Sequence, residues 1–494
     1  MQVCPELGQV VSLRRLLPEA EIVGGDDAWI TGCSSDSRQV REGELFAALA
    51  GSRCDGHDFA ADAVARGCAA VLADRPITEL SVPSCVVPNP RESFARLCQT
   101  LAGCPSRQLK MIGITGTNGK TTTSCLIAGV LSAADYRVGV LGTLGYLDGR
   151  IVEESTHTTP PPERLAALLA RMVHNGCTHA VMEVSSHALD QSRVAGLEFD
   201  AACVTNVTHD HLDYHATLSE YRRAKAKIFD YLNIDGFAVF NADDPGSAEL
   251  VRRHAGPALT VGIDSPAEVT AVPVEQFTSE QTFLLTAGSE TMPVRTQMIG
   301  RHHIYNCMAA AAVGLTYGIE LTTVVRGLES IGHVPGRLER IECGQPFGVF
   351  VDFAHTPDAL AGVLKTLRQV TAGRLICVFG AGGQRDSQKR PLMGRAVEKA
   401  ADVAILTNDN PRHEDPAAII RDVLAGFVNR STAQVIPDRT TAICRALGMA
   451  EAGDCVLIAG KGHETCQIVG DQRLPHDDRE VAREWLYGEG GSRQ

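Results

Sequence analysis

The chain has 494 residues, of which 44% are hydrophobic and 21% charged, and its formal net charge is −13 at pH 7. This length predicts two to four domains, and the negative charge argues against broad nucleic-acid binding. The sequence contains no run of 18 apolar residues, so no membrane span is predicted, and the N-terminus lacks a basic-then-apolar signal pattern. The sixteen scattered cysteines contain no Cys-x-x-Cys pair, which favours free thiols in a reducing cytoplasm over a zinc site or a disulfide framework.

The first of three predicted units covers 1–105 and ends at a short Gly- and Pro-containing linker. Its most informative stretch is a group of small hydroxyl residues, including Ser35 and Ser37, just before Arg38. These hydroxyls could hold an anionic or sugar-bearing ligand, or they could form an ordinary polar turn before a strand. A helix over 59–66, a strand over 69–73 and a second helix ending near 102 are predicted to follow.

The second predicted unit covers 106–333 and opens with a strand over 111–114 and a glycine loop. The loop reads Gly116-x-x-Gly119-Lys120-Thr121 and enters a helix predicted to end near 134. Backbone N–H groups of such a loop converge on a phosphate, while the lysine reaches a β- or γ-phosphate and the hydroxyl holds Mg²⁺. The standard P-loop has a glycine where Ile114 stands, so this pattern alone leaves an ordinary strand-to-helix turn as the alternative.

Polar residues lie at the carboxyl ends of two later strands of this unit, which are predicted over 180–184 and 201–206. Ligands gather at the carboxyl ends of parallel strands, so Glu183 is a candidate Mg²⁺ partner. The second strand leads into 208–215, which holds two aspartates and three histidines. Three alternatives stay open for that stretch: a zinc site, a Mg²⁺-nucleotide site, or a solvated polar loop.

The remainder of the second unit is predicted to contain two helices and a hairpin. The first helix, over 218–231, carries Lys225 and Lys227, either of which could be an ordinary exposed lysine. Residues 269–298 alternate apolar and polar and predict a small antiparallel sheet. An alanine-rich helix is predicted to begin in the segment 300–306.

The third predicted unit covers 334–494, in which strands and helices alternate. Such alternation predicts a doubly wound sheet. The predicted strands are 348–352, 374–379, 403–407 and 455–459. A partial dinucleotide fingerprint follows the second of them, but Arg385 stands where its third glycine belongs, so NAD binding is poorly supported.

Taken together, these motifs resemble the Mur ligase family, the ATP-dependent amino-acid-adding enzymes of peptidoglycan precursor synthesis. The matching segments occur in the family's order: 116–121, 183–187, 206–213, 224–225, 335–339, 352–358, 389–394 and 461–464. Segments 36–38 and 55–56 resemble the UDP-sugar domain of the branch that adds the third residue. Segment 409–412 resembles the motif with which that branch selects meso-diaminopimelate, and lysine-adding members differ there.

The resemblance implies an α/β protein of three domains. These are an N-terminal UDP-sugar-binding domain (1–105), a central P-loop ATPase-like domain with a mainly parallel sheet (106–333), and a C-terminal doubly wound, Rossmann-like, amino-acid-binding domain (334–494). It also implies transfer of the ATP γ-phosphate to the carboxylate of UDP-N-acetylmuramoyl-L-alanyl-D-glutamate. The amine of meso-2,6-diaminopimelate then attacks the acyl phosphate.

The resemblance further implies a role for particular residues. The catalytic residues would be Lys120, Glu183, His211 and Lys225. The ATP site would comprise Gly116, Thr117, Asn118, Gly119, Lys120, Thr121, Thr122, Asn306, Arg337, Asp352 and His355. The UDP-sugar dipeptide would meet Ser35, Ser37, Thr158, Thr159, Ser185, Gln191 and Arg193. Diaminopimelate would meet Arg390, Asp409, Asn410, Pro411, Arg412, Gly460 and Glu464. Mg²⁺ would be held by Thr121, Glu183, His211 and Lys225, the lysine being carbamylated by CO₂.

The expected cofactors are therefore ATP, Mg²⁺ and a CO₂-derived carbamate, and the expected partners are small-molecule substrates. We expect a cytoplasmic monomer without nucleic-acid partners. Two positions depart from the family, since His303 replaces an asparagine and Gln384 an acid. The alternatives are a lysine-adding member, a folate polyglutamate ligase, a P-loop kinase or nucleotide hydrolase, and a nucleotide-regulated binding protein.

Overall fold

The computed structural model describes residues 10–51, 54–77 and 79–490, in which three larger α/β sheets follow one another along the chain. The mixed α/β class with mostly parallel sheets is confirmed. The sheets fall inside the three predicted units, and the boundaries at 105 and 333 stay predictions. Among the described helices, none is both long enough and apolar enough to cross a membrane.

The first sheet has five strands in the order β2-β7-β6-β5-β4, parallel except for β2. Its strands and the short ladder beside it are β1 (Val11–Ser12), β2 (Glu21–Val23), β3 (Trp29–Ile30), β4 (Gly32–Ser34), β5 (Glu44–Ala47), β6 (Ala70–Ala73) and β7 (Ser84–Val86). Its helices are α1 (Leu13–Leu16), α2 (Ala60–Ala65) and α3 (Pro90–Leu101). The Asn89 side chain caps α3 by accepting from the Glu92 N–H, and buried Phe94 and Leu97 pack that helix on the sheet.

The central sheet has eleven strands in the order β11-β10-β9-β12-β8-β13-β14-β15-β16-β17-β18. The strands are β8 (Lys110–Thr115), β9 (Val138–Gly142), β10 (Gly145–Leu147), β11 (Val152–Glu153), β12 (His179–Glu183), β13 (Phe199–Val204), β14 (Leu232–Asn241), β15 (Ala258–Gly262), β16 (Val269–Gln276), β17 (Gln281–Ala287) and β18 (Glu290–Thr296). The helices are α4 (Lys120–Ala133), α5 (Pro162–His174), α6 (Ser186–Asp190), α7 (Leu212–His215), α8 (Leu218–Ala226), α9 (Pro245–Arg253), α10 (Arg301–Thr316) and α11 (Leu321–Glu329). The seven neighbouring strands β9-β12-β8-β13-β14-β15-β16 pair in parallel and are covered by apolar clusters on both faces, as parallel sheets require.

Two predicted elements of this region differ from the structure. The predicted antiparallel hairpin is present as β16 to β18, but it extends the central sheet through parallel pairing of β15 with β16 and forms no separate sheet. The helix predicted over 218–231 ends at Ala226, and a 3-10 turn covers Lys227–Tyr231. Because β14 begins directly at Leu232, the last turn tightens as the chain reverses into that strand.

The third sheet has six strands in the order β19-β20-β24-β21-β22-β23, parallel except for β19. Its strands and a following two-stranded ladder are β19 (Glu339–Arg340), β20 (Gly348–Asp352), β21 (Leu375–Phe379), β22 (Val403–Leu406), β23 (Ala433–Val435), β24 (Cys455–Ala459), β25 (Cys466–Val469) and β26 (Gln472–Pro475). Its helices are α12 (Pro357–Val370), α13 (Lys389–Ala400), α14 (Pro416–Leu424), α15 (Arg439–Met449) and α16 (Asp478–Gly490). Apolar clusters cover both faces, which confirms the doubly wound sheet.

Candidate active site

The glycine loop between β8 and α4 has, at two positions, a backbone conformation that residues with a side chain rarely adopt. Gly116 has φ +152°, and a Cβ there would lie 1.9 Å from the Thr205 hydroxyl oxygen. Gly119 has φ +85°, and its Cβ would lie 2.6 Å from Oδ1 of Asn306. The loop is therefore packed against the segment that follows β13 on one side and against α10 on the other, which fixes its N–H groups at the start of α4.

Lys120 folds back over this loop, where its Nζ donates to the Gly116 carbonyl (2.9 Å) and the Thr117 carbonyl (3.1 Å). Loss of solvent lowers the pKa of its ammonium group, and Glu183 and Asp210 oppose that effect. An ammonium held by two carbonyls at a helix N-terminus is a binding point for phosphate oxygens.

The carboxylate of Glu183 connects three parts of the chain. It lies at the end of β12, is 1% exposed, and accepts a hydrogen bond from the Thr121 hydroxyl (3.0 Å). Its other oxygen accepts from the Thr143 N–H (2.7 Å). Arg337, from the segment before the third sheet, donates to the same Thr121 hydroxyl (3.0 Å). A carboxylate, a hydroxyl and a guanidinium thus meet beside the glycine loop.

Lys225 on α8 reaches the loop from the opposite side. Its Nζ donates to the Gly116 carbonyl (2.7 Å), lies 4.4 Å from the centre of the Tyr221 ring, and the residue is 1% exposed. Burial lowers the pKa of Lys225 well below its usual range, and the charge of Lys120 adds to this effect. Two lysine amines therefore share one carbonyl oxygen, which is an unfavourable arrangement for two cations.

His211 follows β13 and has φ +54°, in the left-handed region. Its Nε2 lies 3.5 Å from Asp210, and its ring stands edge-on to His187 at 4.8 Å between ring centres. Loss of solvent lowers the pKa of His211, which favours a neutral ring able to bind a metal. Within the described residues no three His, Cys, Asp or Glu side chains cluster as a metal site by themselves, so the zinc alternative gains no support.

A cavity of about 590 Å³ brings the predicted nucleotide residues together. It lies between the ends of β8, β12 and β13 and the end of β20. Of the predicted ATP residues its lining includes Thr117, Asn118, Gly119, Lys120, Thr121, Thr122, Asn306, Arg337, Asp352 and His355, and Gly116 adjoins them. Burial lowers the pKa of His355 to about 4 and raises that of Asp352.

A smaller cavity of about 200 Å³ lies between the first unit and the central sheet and contains three of the residues predicted for the UDP-sugar dipeptide. Ser35, Gln191 and Arg193 line it. Ser35 donates to Glu163 on α5 (2.9 Å), and Arg193 donates to the Gln191 side chain (2.7 Å) and the Thr159 carbonyl (3.2 Å).

The other predicted dipeptide residues lie outside that lining. Thr158 contacts the Thr143 hydroxyl (3.2 Å), which places it next to Glu183. Thr159 donates to the Glu183 carbonyl (2.8 Å), and Ser185 caps α6 by accepting from the Ala188 N–H. Ser37 is 8% exposed on the first unit. This set therefore runs from the first unit to the edge of the nucleotide cavity.

Two of the residues predicted for diaminopimelate, Asn410 and Glu464, are bonded to Lys461, which belongs to the matching segment 461–464 but has no predicted role of its own. Lys461 is fully buried, and its Nζ donates to Asn410 Oδ1 and Glu464 Oε2, both at 2.9 Å. Asn410 also donates to the same Glu464 oxygen (2.8 Å). Asp409 lies under Gly460, whose Cβ would come within 2.7 Å of the aspartate. The Lys461 partner Glu464 is three residues away in the same segment, whereas its partner Asn410 is 51 residues away, and the sequence gives no signal for that second contact.

Arg412 and Arg390 occupy different environments. Arg412, with φ +53°, donates to the Gly383 carbonyl (2.8 Å), and loss of solvent and nearby Arg385 lower its pKa. Arg390 is 1% exposed and forms a two-point pair with Glu414 (2.6 and 2.7 Å) and a further ion pair with Asp422 (2.9 Å). Its guanidinium thus already holds two carboxylates, and its predicted contact with diaminopimelate stays a prediction.

Comparisons with known proteins agree with this geometry. Three family models match the chain: "Mur ligase family, catalytic domain" over 29–99, "Mur ligase middle domain" over 114–314, and "Mur ligase, glutamate ligase domain" over 336–462. The second of these spans the glycine loop and the residues around Glu183, and the third spans Arg337 to Lys461.

Two similar proteins are named UDP-N-acetylmuramoyl-L-alanyl-D-glutamate–2,6-diaminopimelate ligase. The one from Bacillus cereus is 42% identical over 478 residues, covering 96% of this chain and 97% of its own length. The one from Geobacillus thermodenitrificans is 44% identical over 474 residues, covering 94% and 97%. A solved structure bearing the same name is 32% identical, with a TM-score of 0.69 over 98% of this chain and 100% of its own. The chain therefore belongs to the Mur ligase family.

Proposed function

We propose that the protein joins meso-2,6-diaminopimelate to UDP-N-acetylmuramoyl-L-alanyl-D-glutamate, with cleavage of ATP to ADP and phosphate. One observation carries the proposal: in a single cavity the Thr121 hydroxyl is contacted by Glu183 of the central sheet and by Arg337 of the C-terminal unit. A phosphate loop that shares its cavity with a second unit can place a third reactant beside the transferred phosphoryl group. The names of relatives at 42% and 44% identity over nearly the whole chain support the same activity.

The chemistry follows from the poor reactivity of a carboxylate towards an amine. Transfer of the ATP γ-phosphoryl group to the substrate carboxylate gives an acyl phosphate, the amine attacks its carbonyl carbon, and phosphate leaves. The protein's task is to position three reactants and to neutralise charge. Lys120 and Arg337 are the cations placed to neutralise the phosphates.

The donor set around Thr121 fits Mg²⁺ carried in by the nucleotide. Mg²⁺ prefers oxygen ligands and commonly uses one or two carboxylates together with substrate phosphates. Glu183 and Thr121 provide such oxygens, with His211 and a carbamylated Lys225 as the proposed further ligands. When bound, the ion would stabilise charge developing on the transferred phosphoryl group.

Lys225 suits carbamylation for a physical reason. Only a neutral amine attacks CO₂, and the buried Lys225, with its lowered pKa, favours the neutral form. Modification would replace this amine, which repels Lys120 whenever it is protonated, with an anion, which attracts Lys120.

The substrate sites are proposed from the same geometry. The UDP-linked dipeptide would run from Ser35 and Ser37 past Arg193 to Thr158, beside Glu183. Glu464 and Asn410, oriented by Lys461, would meet an ammonium group of diaminopimelate, and Arg412 its distal carboxylate. We propose that Arg390 affects diaminopimelate binding indirectly, by holding Glu414 in place, because its guanidinium is already paired with that carboxylate.

The three-domain division, with UDP-sugar binding before 105, ATP binding to 333 and amino-acid binding thereafter, belongs to this proposal. So do the cytoplasmic location and the monomeric state. Size-exclusion chromatography with light scattering tests the last of these.

Phosphate release from ATP tests the central claim. The assay contains the UDP-muramoyl dipeptide and offers meso-diaminopimelate or lysine in turn. We expect release only with both acceptor and amine, and a clear preference for diaminopimelate because lysine leaves Arg412 without a carboxylate. Release without any amine would contradict ligation, and preference for lysine would contradict the assignment of Arg412.

A further inference from the structure

The cavity of about 200 Å³ between the first unit and the central sheet contains two arginines that face it from different units. Arg91 comes from the first turn of α3, and Arg193 follows α6. Both are half-buried, and their positions along the chain are far apart. Because two separate units supply these arginines, local sequence patterns do not explain why they lie beside the same cavity.

Neither arginine forms an ion pair with a carboxylate in the part of the chain that the structure describes. Arg91 donates to the Ala50 carbonyl, and Arg193 to the Gln191 side chain and the Thr159 carbonyl. Glu163, whose charge raises the pKa of Arg193, accepts a hydrogen bond from Ser35. Both guanidiniums are thus held in place by neutral oxygens.

The two positive charges act on one another. Loss of solvent lowers the pKa of Arg193, and the charge of Arg91 lowers it further. Two half-buried cations that face one small cavity destabilise the unliganded protein. An oxyanion bound between the two arginines would be attracted by both and would offset their mutual repulsion. A guanidinium is the group best shaped to hold phosphate or carboxylate by two parallel hydrogen bonds.

We propose that Arg91, together with Arg193, binds an oxyanion of the UDP-linked dipeptide, either its diphosphate or a peptide carboxylate. This inference rests on the proposed function, and it adds to the substrate site a residue, Arg91, for which the motifs assign no role. Leu49 and Phe94 add apolar surface to the same lining, and beside apolar surface a charge-assisted hydrogen bond is stronger than in water.

Calorimetric titration of the whole protein with uridine, UDP and the complete UDP-muramoyl dipeptide tests the inference. We expect Arg91→Ala to raise the Kd of the complete substrate about ten-fold or more, as for loss of a charge-assisted pair. Weakened UDP binding with unchanged uridine binding identifies the diphosphate as the bound group. Weakening of the complete substrate alone identifies a carboxylate. An unchanged Kd for the complete substrate overturns the inference.

Arg96→Ala is the matched control, since Arg96 lies on the same helix, is ion-paired with Glu92 (2.8 Å) and lies outside this lining. It is expected to leave all three titrations unchanged. If Arg91→Ala does not fold, Arg91→Gln keeps a donor for the Ala50 carbonyl without the charge and must show the same weakening. In turnover, KM for the UDP-linked substrate should rise while KM for ATP stays within about two-fold, which a general structural defect would not produce.

The two proposals fail separately. A wild-type protein that binds the UDP-linked substrate through Arg91 but releases no phosphate with any amine contradicts the ligase and leaves this inference standing. A working ligase whose Arg91 variants bind normally contradicts only this inference.

Discussion

Lys225 is the residue whose surroundings are hardest to reconcile with an unmodified side chain. A buried amine that shares the Gly116 carbonyl with Lys120 is repelled by it, and Tyr221 offers only its ring face. The proposed anionic carbamate would resolve this conflict and would supply oxygen ligands for a metal.

We predict that Lys225→Ala loses most ligase activity because the anionic ligand is removed. Short-chain carboxylates such as formate should restore part of it by occupying the vacated space, as measured by phosphate release with and without the added acid. Lys227→Ala is the matched control, since Lys227 lies two residues on, is partly exposed and is paired with Asp190 (2.9 Å). Full activity of Lys225→Ala would refute the carbamate role.

His303, at a position where the resemblance implies an asparagine, has two ring nitrogens without a hydrogen-bond partner within the described residues. It is 2% exposed, lines the nucleotide cavity, and burial followed by the charges of His302 and Arg337 lowers its pKa well below the usual range. A neutral imidazole with unmet hydrogen bonds costs stability unless a ligand satisfies it.

We therefore predict opposite effects of His303→Leu on stability and on nucleotide binding. The free protein should unfold at the same or a higher temperature, because buried unpaired nitrogens are removed. KM for ATP should rise about three- to ten-fold, the range for one lost neutral hydrogen bond. His303→Asn, which keeps a donor and an acceptor, should stay near wild type. An unchanged KM in His303→Leu would show that the nucleotide does not contact this position.

At the scale of elements, the glycine loop depends on the close approach of three secondary-structure elements. A Cβ at Gly116 would collide with the Thr205 hydroxyl, which donates to the Asn118 carbonyl (2.6 Å) and so holds the loop on the segment directly after β13. Asn206 donates to the same carbonyl (3.1 Å) and accepts from the Asn118 N–H (2.9 Å). The loop's shape is thus fixed by the residues that follow β13 as well as by its own glycines.

We predict that Gly116→Ala lowers kcat/KM for ATP by about two orders of magnitude, because displacement of the loop by about 1 Å misplaces the phosphates. Gly448→Ala is the control, since it lies inside α15 and its Cβ would meet only Trp485 at 3.5 Å. That change should leave turnover intact and stabilise the helix by up to about 1 kcal/mol. Equal activities of the two variants would refute the steric account of the loop.

The sequence predicted the elements that depend on local pattern and missed contacts that depend on distant residues. The strand before Gly116 and its loop follow from an apolar run and two glycines. The pairing of Lys461 with Asn410 crosses 51 residues, and that of Arg337 with Thr121 crosses 216. Helix α8 ends at Ala226 and continues as a 3-10 turn, and this boundary depends on the position of the first residue of β14 in the folded protein. Spacing along the chain carries no information about such contacts.

At the scale of the whole molecule, the C-terminal unit touches the nucleotide loop mainly through charged and polar groups. Arg337 bonds to Thr121, and Asp386 lies 3.9 Å from His209. The charge of Arg337 also disfavours the protonated form of Lys120. Bringing the two units together without nucleotide therefore places two cations side by side, with Glu183 as the compensating carboxylate bonded to Thr121.

We predict that ligands close the molecule, since a polyphosphate between Lys120 and Arg337 turns their repulsion into shared attraction. Small-angle scattering should give a smaller radius of gyration with a non-hydrolysable ATP analogue and the UDP-linked substrate than without ligands. Arg337→Ala should bind the UDP-linked substrate normally yet show a reduced change, because the C-terminal unit loses its contact with the phosphates. An identical radius with and without ligands in the wild-type protein would refute closure, and an undiminished change in Arg337→Ala would refute the part assigned to Arg337.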